Sequence, residues 1–103
     1  MNKYNIIISE LAKFDIADLT YYIKNELQNP IAAINLAKEI RSEIRNLAIN
    51  PHLALVQNMC LAQLGLRKIS VKNYIIFYSI DEKGKVIYIE RVLYGRRDWE
   101  NLL

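Results

Sequence analysis

The chain has 103 residues, 52% hydrophobic and 24% charged, which suits one globular domain over residues 1–103. Its net charge of +3 permits an acidic partner but is too small by itself to indicate nucleic-acid binding. The one cysteine, Cys60, excludes an internal disulfide, and we find neither a signal-peptide core nor a membrane-spanning stretch. We therefore expect a cytoplasmic protein that does not contact a membrane.

The first two predicted elements are a strand and a helix. Three consecutive isoleucines within residues 4–9 predict a strand that is covered on both faces. Asp15 and Asp18 are expected in the first turn of the following helix, where the helix dipole favours acidic side chains. The apolar stripe of this helix has a spacing of three or four residues and consists of Ile16, Leu19, Ile23 and Leu27.

A second, longer helix is predicted to begin at Asn29 and Pro30, which suit the cap and the first helical position. It should end at residues 49–51, and the short joint between the two helices predicts an antiparallel hairpin. The expected buried positions of the second helix are Ala33, Leu36, Ala37, Ile40, Ile44, Leu47 and Ala48. A separate face carries Lys38, Arg41 and Arg45, and this face is either solvated or binds an acidic partner.

The second half of the chain predicts a sheet. Residues 50–65 have no clear period, whereas residues 66–71, 74–80 and 85–93 read as strands joined by turns at 72–73 and 81–84. Gly84 is expected to adopt a positive φ in the second turn. The expected fold is α+β with the order β-α-α-β-β-β: an N-terminal strand, an antiparallel two-helix hairpin and a three-stranded antiparallel meander that completes one sheet. A short C-terminal tail or helix follows.

The simplest strand register pairs Val71 with Tyr74 and Ile80 with Lys85, and side chains then alternate between the two faces of the sheet. Arg67 and Arg91 are expected at the two ends of the helix-covered face, with their guanidinium groups in water. That face is mainly apolar and consists of Ile69, Val71, Tyr74, Ile76, Tyr78, Ile87, Ile89 and Leu93. The opposite face is mixed, could form a groove and consists of Lys68, Ser70, Ile75, Phe77, Ser79, Tyr88, Glu90 and Val92.

Most catalytic classes find no support in the residues. His52 is the one histidine, so neither a metal site nor a histidine-based acid–base pair is expected. With three glycines and no glycine-rich phosphate loop, we expect no cofactor.

One enzyme class remains open, which is RNA cleavage through the 2′-hydroxyl group. This reaction needs a general base, a general acid and cations for the phosphate charge. The candidates for these catalytic functions are Lys68, Tyr88, Glu90 and Arg96. Ile75 and Phe77, however, occupy the middle of the mixed face, where a site for RNA cleavage would need a cation to stabilise the phosphate charge.

Nearly the whole chain resembles the RelE/ParE superfamily, the toxins of bacterial type II toxin–antitoxin systems. Residues 14–51 resemble the helical hairpin of that family, and residues 65–103 resemble its sheet and tail. The most specific stretches are "DLTYYI", "NPIAA", "NYIIFY" and "RVLYGRRD". The resemblance implies a growth-inhibiting toxin that forms a tight complex with a small cognate antitoxin, whose helix and added strand would wrap the toxin. Such modules stabilise plasmids.

The branches of the superfamily differ in their targets. RelE-like members cut mRNA on the ribosome, and the position that matches an arginine of their site is Ile75 here. ParE-like members, which this chain resembles better through its long hairpin and its "RVLYGRRD" ending, poison DNA gyrase by binding. The resemblance therefore implies a ParE-like gyrase poison. The alternatives are a RelE-like ribosome-dependent endoribonuclease, and a non-toxic relic that only pairs with its antitoxin and helps repress the operon.

Two binding surfaces are predicted on this basis. Arginine and aromatic residues are enriched at interface hot spots, and the expected target-binding set is Arg67, Arg91, Tyr94, Arg96, Arg97 and Trp99. Asp98 is expected to orient Arg96 or Arg97, or to pair with Arg91. The alternative is that Trp99 and Leu102 pack the tail and the arginines are solvated. The acidic antitoxin is expected to contact Lys38, Arg41 and Arg45.

Overall fold

A computed structural model describes residues 3–52, 63–96 and 102–103 of the chain. A strand β1 (Asn5–Ile8) leads into α1 (Glu10–Tyr21), which continues as a π-helical segment (Tyr22–Glu26), and α2 (Pro30–Ile49) follows. The remaining elements are strands β2 (Arg67–Val71), β3 (Tyr74–Asp81) and β4 (Val86–Tyr94). The α+β fold with the order β-α-α-β-β-β is therefore confirmed. No helix in these described ranges is both long and apolar enough to cross a membrane.

The four strands form one mixed sheet in the order β1-β4-β3-β2. Strands β2, β3 and β4 form the predicted antiparallel meander, and β1 pairs in parallel with the first half of β4, from Asn5–Val86 to Ile8–Ile89. The prediction that β1 is covered on both faces is wrong. Ile6 and Ile8 pack against the core, whereas the alternate residue Ile7 is 48% exposed at the edge of the sheet.

Helix α1 begins earlier than the acidic residues suggested. Ser9 is its N-cap: the Ser9 hydroxyl accepts the Ala12 N–H at 2.9 Å and donates to the Glu90 carbonyl at 2.8 Å. Asp15 and Asp18 therefore lie in the middle of α1, and their predicted place in the first turn is wrong. Asp15 is buried, because the inward row of α1 runs through positions 12, 15 and 19.

The end of the first helix also departs from the predicted stripe. In the π-helical segment the Leu27 N–H donates to the Tyr22 carbonyl, five residues back, at 3.1 Å. This wider turn changes the angular position of the residues that follow, and Leu27 is 57% exposed instead of buried. Helix α2 follows the prediction more closely, since the Asn29 side chain caps the Ala32 N–H at 3.1 Å and Pro30 begins the helix.

One hairpin has the predicted register and the other does not. Val71 pairs with Tyr74 as expected, but Ile80 pairs with Ile87 and not with Lys85. The positive φ of the second turn falls on Lys85 (56°), so the prediction for Gly84 is wrong. A Cβ at Gly84 would lie 2.7 Å from an Asp81 carboxylate oxygen, so a larger residue there would displace that exposed side chain.

A β-bulge in β4 changes which side chains face the helices. Phe77 pairs with Arg91 while Tyr78 pairs with Ile89, so Glu90 is an extra residue on β4. One inserted residue reverses the alternation, and the predicted faces of Val92 and Leu93 are therefore wrong. Val92 packs in the main core between the helices and the sheet, and Leu93 packs on the opposite face. That face carries a second, small apolar cluster of Leu66, Phe77 and Leu93, with Ile75 and Leu103 against it.

We predict that Ser9→Ala lowers the free energy of unfolding by about 1–2 kcal/mol, because it removes the helix cap and the hydrogen bond to Glu90 together. Urea unfolding followed by circular dichroism measures this change. Ser42→Ala, on the exposed side of α2, is the matched control and should change little. Equal stability of the two variants would contradict the assignment of Ser9 as the link between α1 and β4.

Candidate binding surfaces

The junction of α1, β4 and the tail is organised by Asp15. Strand β1 ends opposite Ile89, and beyond that point the Val92 N–H donates to Asp15 Oδ2 at 3.0 Å. The Arg91 guanidinium binds the same carboxylate in a bidentate manner, with Nε–Oδ2 at 2.8 Å and Nη2–Oδ1 at 2.9 Å. Its Nη1 also donates to the Leu102 carbonyl at 3.3 Å. Arg91 therefore connects the helix, the strand and the tail.

The Arg91 side chain is less exposed than the sequence predicted. The hydrogen bonds to Asp15 raise the pKa of Arg91, burial lowers it by less, and the Coulomb attraction of the carboxylate adds to the increase. The side chain is 18% exposed, so the expectation that it extends into water at the end of the sheet is wrong. The physical reason is the bidentate contact with Asp15 of α1, which holds the guanidinium inside this junction.

The four residues that could support RNA cleavage come from β2, β4 and the segment that follows β4. Lys68 lies opposite Phe77 on β2 and Tyr88 lies opposite Ser79 on β4, so two strand spacings, roughly 10 Å, separate their backbones across the sheet. Arg96 follows the far end of β4, about 20 Å along the strand from Tyr88. Glu90 sits in the bulge, with its carbonyl bound by the Ser9 hydroxyl.

The middle of this sheet face is apolar. Phe77 is fully buried there and Leu93 is 2% exposed, and both pack with Leu66 in the small cluster. Ile75 and Leu103 cover the cluster further. The predicted groove on this face is therefore filled at its centre by hydrocarbon side chains.

Tyr94 and Arg96, two of the predicted target-binding residues, lie at the same end of the sheet. The Tyr94 ring packs edge-to-face on Tyr74, with ring centroids 5.6 Å apart, and the Gly95 N–H donates to the Asn73 carbonyl at 2.8 Å, so that exposed Arg96 follows at the same end of the sheet. Arg67 lies opposite Tyr78, four residues or roughly 13 Å along the sheet from this end. Arg97, Asp98 and Trp99 lie outside the described residues, as does Cys60.

The outer side of the helical hairpin carries a second surface. Lys38, Arg41 and Arg45 are all exposed on α2, and Arg41 borders a shallow cavity of about 710 Å³ between α1 and α2. Large apolar side chains are exposed on both helices, with Phe14 of α1 68% and Ile34 of α2 55% exposed. The helical periodicity of the sequence indicates only that these residues lie outside the buried apolar stripes of the two helices.

A larger groove was not anticipated from the sequence. It has a volume of about 1040 Å³ and lies between the tip of the helical hairpin and the end of the sheet. Burial raises the pKa of Tyr74, and the neighbouring Tyr94 and Tyr22 add to this increase, so both of these phenol groups lie within electrostatic reach of Tyr74. We call this feature the tyrosine groove, and its defining residues are Leu19, Tyr22, Ile23, Leu36, Tyr74, Val92 and Tyr94.

His52 has a structural contact at the other end of the molecule. Its Nε2 lies 2.9 Å from Oε1 of Glu82, and the Tyr4 hydroxyl donates to the other oxygen of this carboxylate at 2.8 Å. The contacts join the end of α2, the β3–β4 turn and the start of β1. Within residues 3–52, 63–96 and 102–103, no group of three or more histidine, cysteine or carboxylate side chains could hold a metal ion.

Comparison with known proteins agrees with this architecture. The sequence matches the family described as "ParE toxin of type II toxin-antitoxin system, parDE" over residues 6–99. The chain therefore belongs to the ParE toxin family, within the RelE/ParE superfamily of toxins from type II toxin–antitoxin systems. No curated protein matches the sequence significantly.

Solved structures with the same fold come from both branches of the superfamily. The chromosomal ParDE system of P. aeruginosa has a TM-score of 0.69 at 16% identity, covering 91% of this chain and 98% of that one. The RelBE2 toxin–antitoxin complex of Mycobacterium tuberculosis has a TM-score of 0.62 at 19% identity, covering 89% and 98%. The isolated RelE toxin of E. coli has a TM-score of 0.60 at 14% identity, covering 97% and 99%.

We predict that Asp15→Asn lowers the free energy of unfolding by about 2–4 kcal/mol, because the amide cannot satisfy the guanidinium fork and the Val92 N–H together. Arg91→Lys should also destabilise the fold, since an ammonium group does not reproduce the bidentate geometry. Denaturant unfolding measures both, with Asp18→Asn, on the exposed side of the same helix, as the control. A loss at Asp15 no larger than at Asp18 would show that the contact contributes little.

Proposed function

We propose that this chain is a toxin that acts by binding, a ParE-like poison of DNA gyrase that a cognate antitoxin neutralises. The observation that carries the proposal is the apolar centre of the sheet face opposite α1 and α2, where Phe77, Leu93 and Leu66 pack together. RNA cleavage through the 2′-hydroxyl needs charged or hydrogen-bonding groups around the scissile phosphate, and a hydrocarbon cluster supplies none.

The target-binding surface lies at the end of the sheet where the tail begins. Tyr94 and Arg96 form its described part, and Arg97 and Trp99 follow directly in the sequence. Arg67 supplies a further positive charge along the sheet. We give Arg91 a supporting role, since its guanidinium binds Asp15 and the Leu102 carbonyl and so ties the end of the chain to β4.

The antitoxin-binding surface is placed on the outer side of the hairpin. Exposed Lys38, Arg41 and Arg45 are complementary to an acidic segment, and the exposed apolar side chains beside them would be covered in the complex. The ParDE and RelBE structures with this fold are toxin–antitoxin systems, which supports an antitoxin partner here.

Changing Lys38, Arg41 and Arg45 together to glutamate should weaken the toxin–antitoxin complex. Calorimetry measures the affinity, and an unchanged affinity would remove this surface from the proposal.

The target is tested by pulse labelling of DNA and protein synthesis in the minutes after the chain is induced without its antitoxin. Early loss of thymidine incorporation supports gyrase as the target. Early loss of methionine incorporation would instead establish a ribosome-dependent endoribonuclease. If neither falls, the chain is a non-toxic relic that retains only its antitoxin pairing, and the proposal fails.

We predict that Arg96→Ala combined with Arg97→Ala reduces growth inhibition at least about tenfold, because arginines at a binding surface are frequent hot spots. A dose–response of growth against inducer, with immunoblots to equalise expression, measures the effect. The matched control is Lys3→Ala combined with Lys83→Ala, which removes the same charge from exposed positions elsewhere. Toxicity that survives in the tail variant, with antitoxin binding intact, would exclude the tail as the docking surface.

A further inference from the structure

The tyrosine groove combines an apolar floor with an aromatic and acidic rim. Its floor includes Leu19, Ile23 and Val92, which are at most 8% exposed, and Tyr22, Tyr74 and Tyr94 stand at its mouth. Two exposed carboxylates, of Asp18 and Glu26, also line it. A cavity of this kind fits a long apolar stem that ends in a positive charge.

The charge of the groove supports a cationic occupant. Within the described part of the chain, neither Asp18 nor Glu26 makes an ion pair, whereas the lysine that lines the groove, Lys72, binds Glu39 at 3.3 Å. The groove is therefore an acidic region on a chain whose net charge is +3. Arginine suits it best, because a guanidinium group stacks on aromatic faces and pairs with carboxylates in a bidentate manner.

The complementary arginine emerges beside the groove on the same surface. Tyr94 and Asn73 line the groove, and Gly95 is bound to the Asn73 carbonyl, so Arg96 leaves the sheet at the rim. Arg96 is exposed and makes no ion pair with any residue in the described ranges. A surface that carries both a cleft and its complement can pair with itself about a two-fold axis, each copy filling the other's cleft.

We infer that two copies of this chain associate through the tyrosine groove, with Arg96 of each copy between the tyrosines and carboxylates of the other. The interaction is electrostatic at its rim, so it weakens as salt is added, and it is apolar at its floor. Arg96 is covered in the self-associated form. The further consequence, that a covered Arg96 cannot bind a target, rests on the proposed function. The association itself does not depend on which target the toxin has.

A charge exchange between the two halves of the contact tests the inference. Sedimentation velocity of the full chain over a range of concentrations should show a dimer that dissociates with increasing salt. Arg96→Glu should be monomeric, as should Asp18→Lys combined with Glu26→Lys, each losing at least about tenfold in dimer affinity. An equimolar mixture of these two variants should form a heterodimer, because both crossed contacts then join opposite charges.

Lys83→Glu is the control, since it makes the same charge change in the exposed β3–β4 turn, far from the groove, and should leave the dimer intact. Circular dichroism confirms that each variant is folded. A wild-type chain that stays monomeric at every concentration overturns the inference. So does a dimer that survives the Arg96→Glu change, or a mixture of the two variants that fails to associate. Growth assays are not part of this test, so failure here leaves the proposed function standing.

Discussion

The arrangement of this molecule depends on the carboxylate of Asp15. Strand β4 loses its parallel neighbour after Ile89, and the N–H of Val92 would then be a buried donor without a partner. Asp15 supplies that acceptor from α1, and its charge is balanced by the guanidinium fork of Arg91. Because the helix must bring this side chain to the strand, the contact also fixes the position of the π-helical segment and of the groove wall that follow α1.

Local patterns predicted the elements well because each element has a local cause. The isoleucines and aromatic residues of 74–80 favour a strand, and the cap at Asn29 favours a helix start, through their neighbours in sequence alone. The register beyond Ile89 has a different cause. The bulge at Glu90 is held by the Ser9 hydroxyl and by Asp15, which are 75 or more positions away in the chain. No alternation pattern contains that information, so the faces of Val92 and Leu93 were exchanged.

Local and long-range causes also distinguish the binding surfaces that the sequence predicted from the tyrosine groove, which it did not predict. Basic and aromatic residues of the tail are visible in the sequence because their types alone favour binding. The tyrosine groove is assembled from three parts of the chain, and its mouth depends on the π-helical turn that leaves Tyr22 at the rim and Leu27 exposed. No glycine or proline lies within this π-helical turn, so the sequence predicts an uninterrupted α-helix through these residues.

Positive and negative side chains are segregated on this fold. The basic side chains on α2 and at Arg96 face outward at separate places, while Asp18 and Glu26 border the groove next to the tail. Arg96 therefore lies between two possible contacts, one with a target and one with a second copy. Mass action decides between them, because dilution dissociates a dimer whereas excess target sequesters a monomer. Under these two proposals, a chain present at a few copies per cell would expose Arg96, and one that accumulates would cover it.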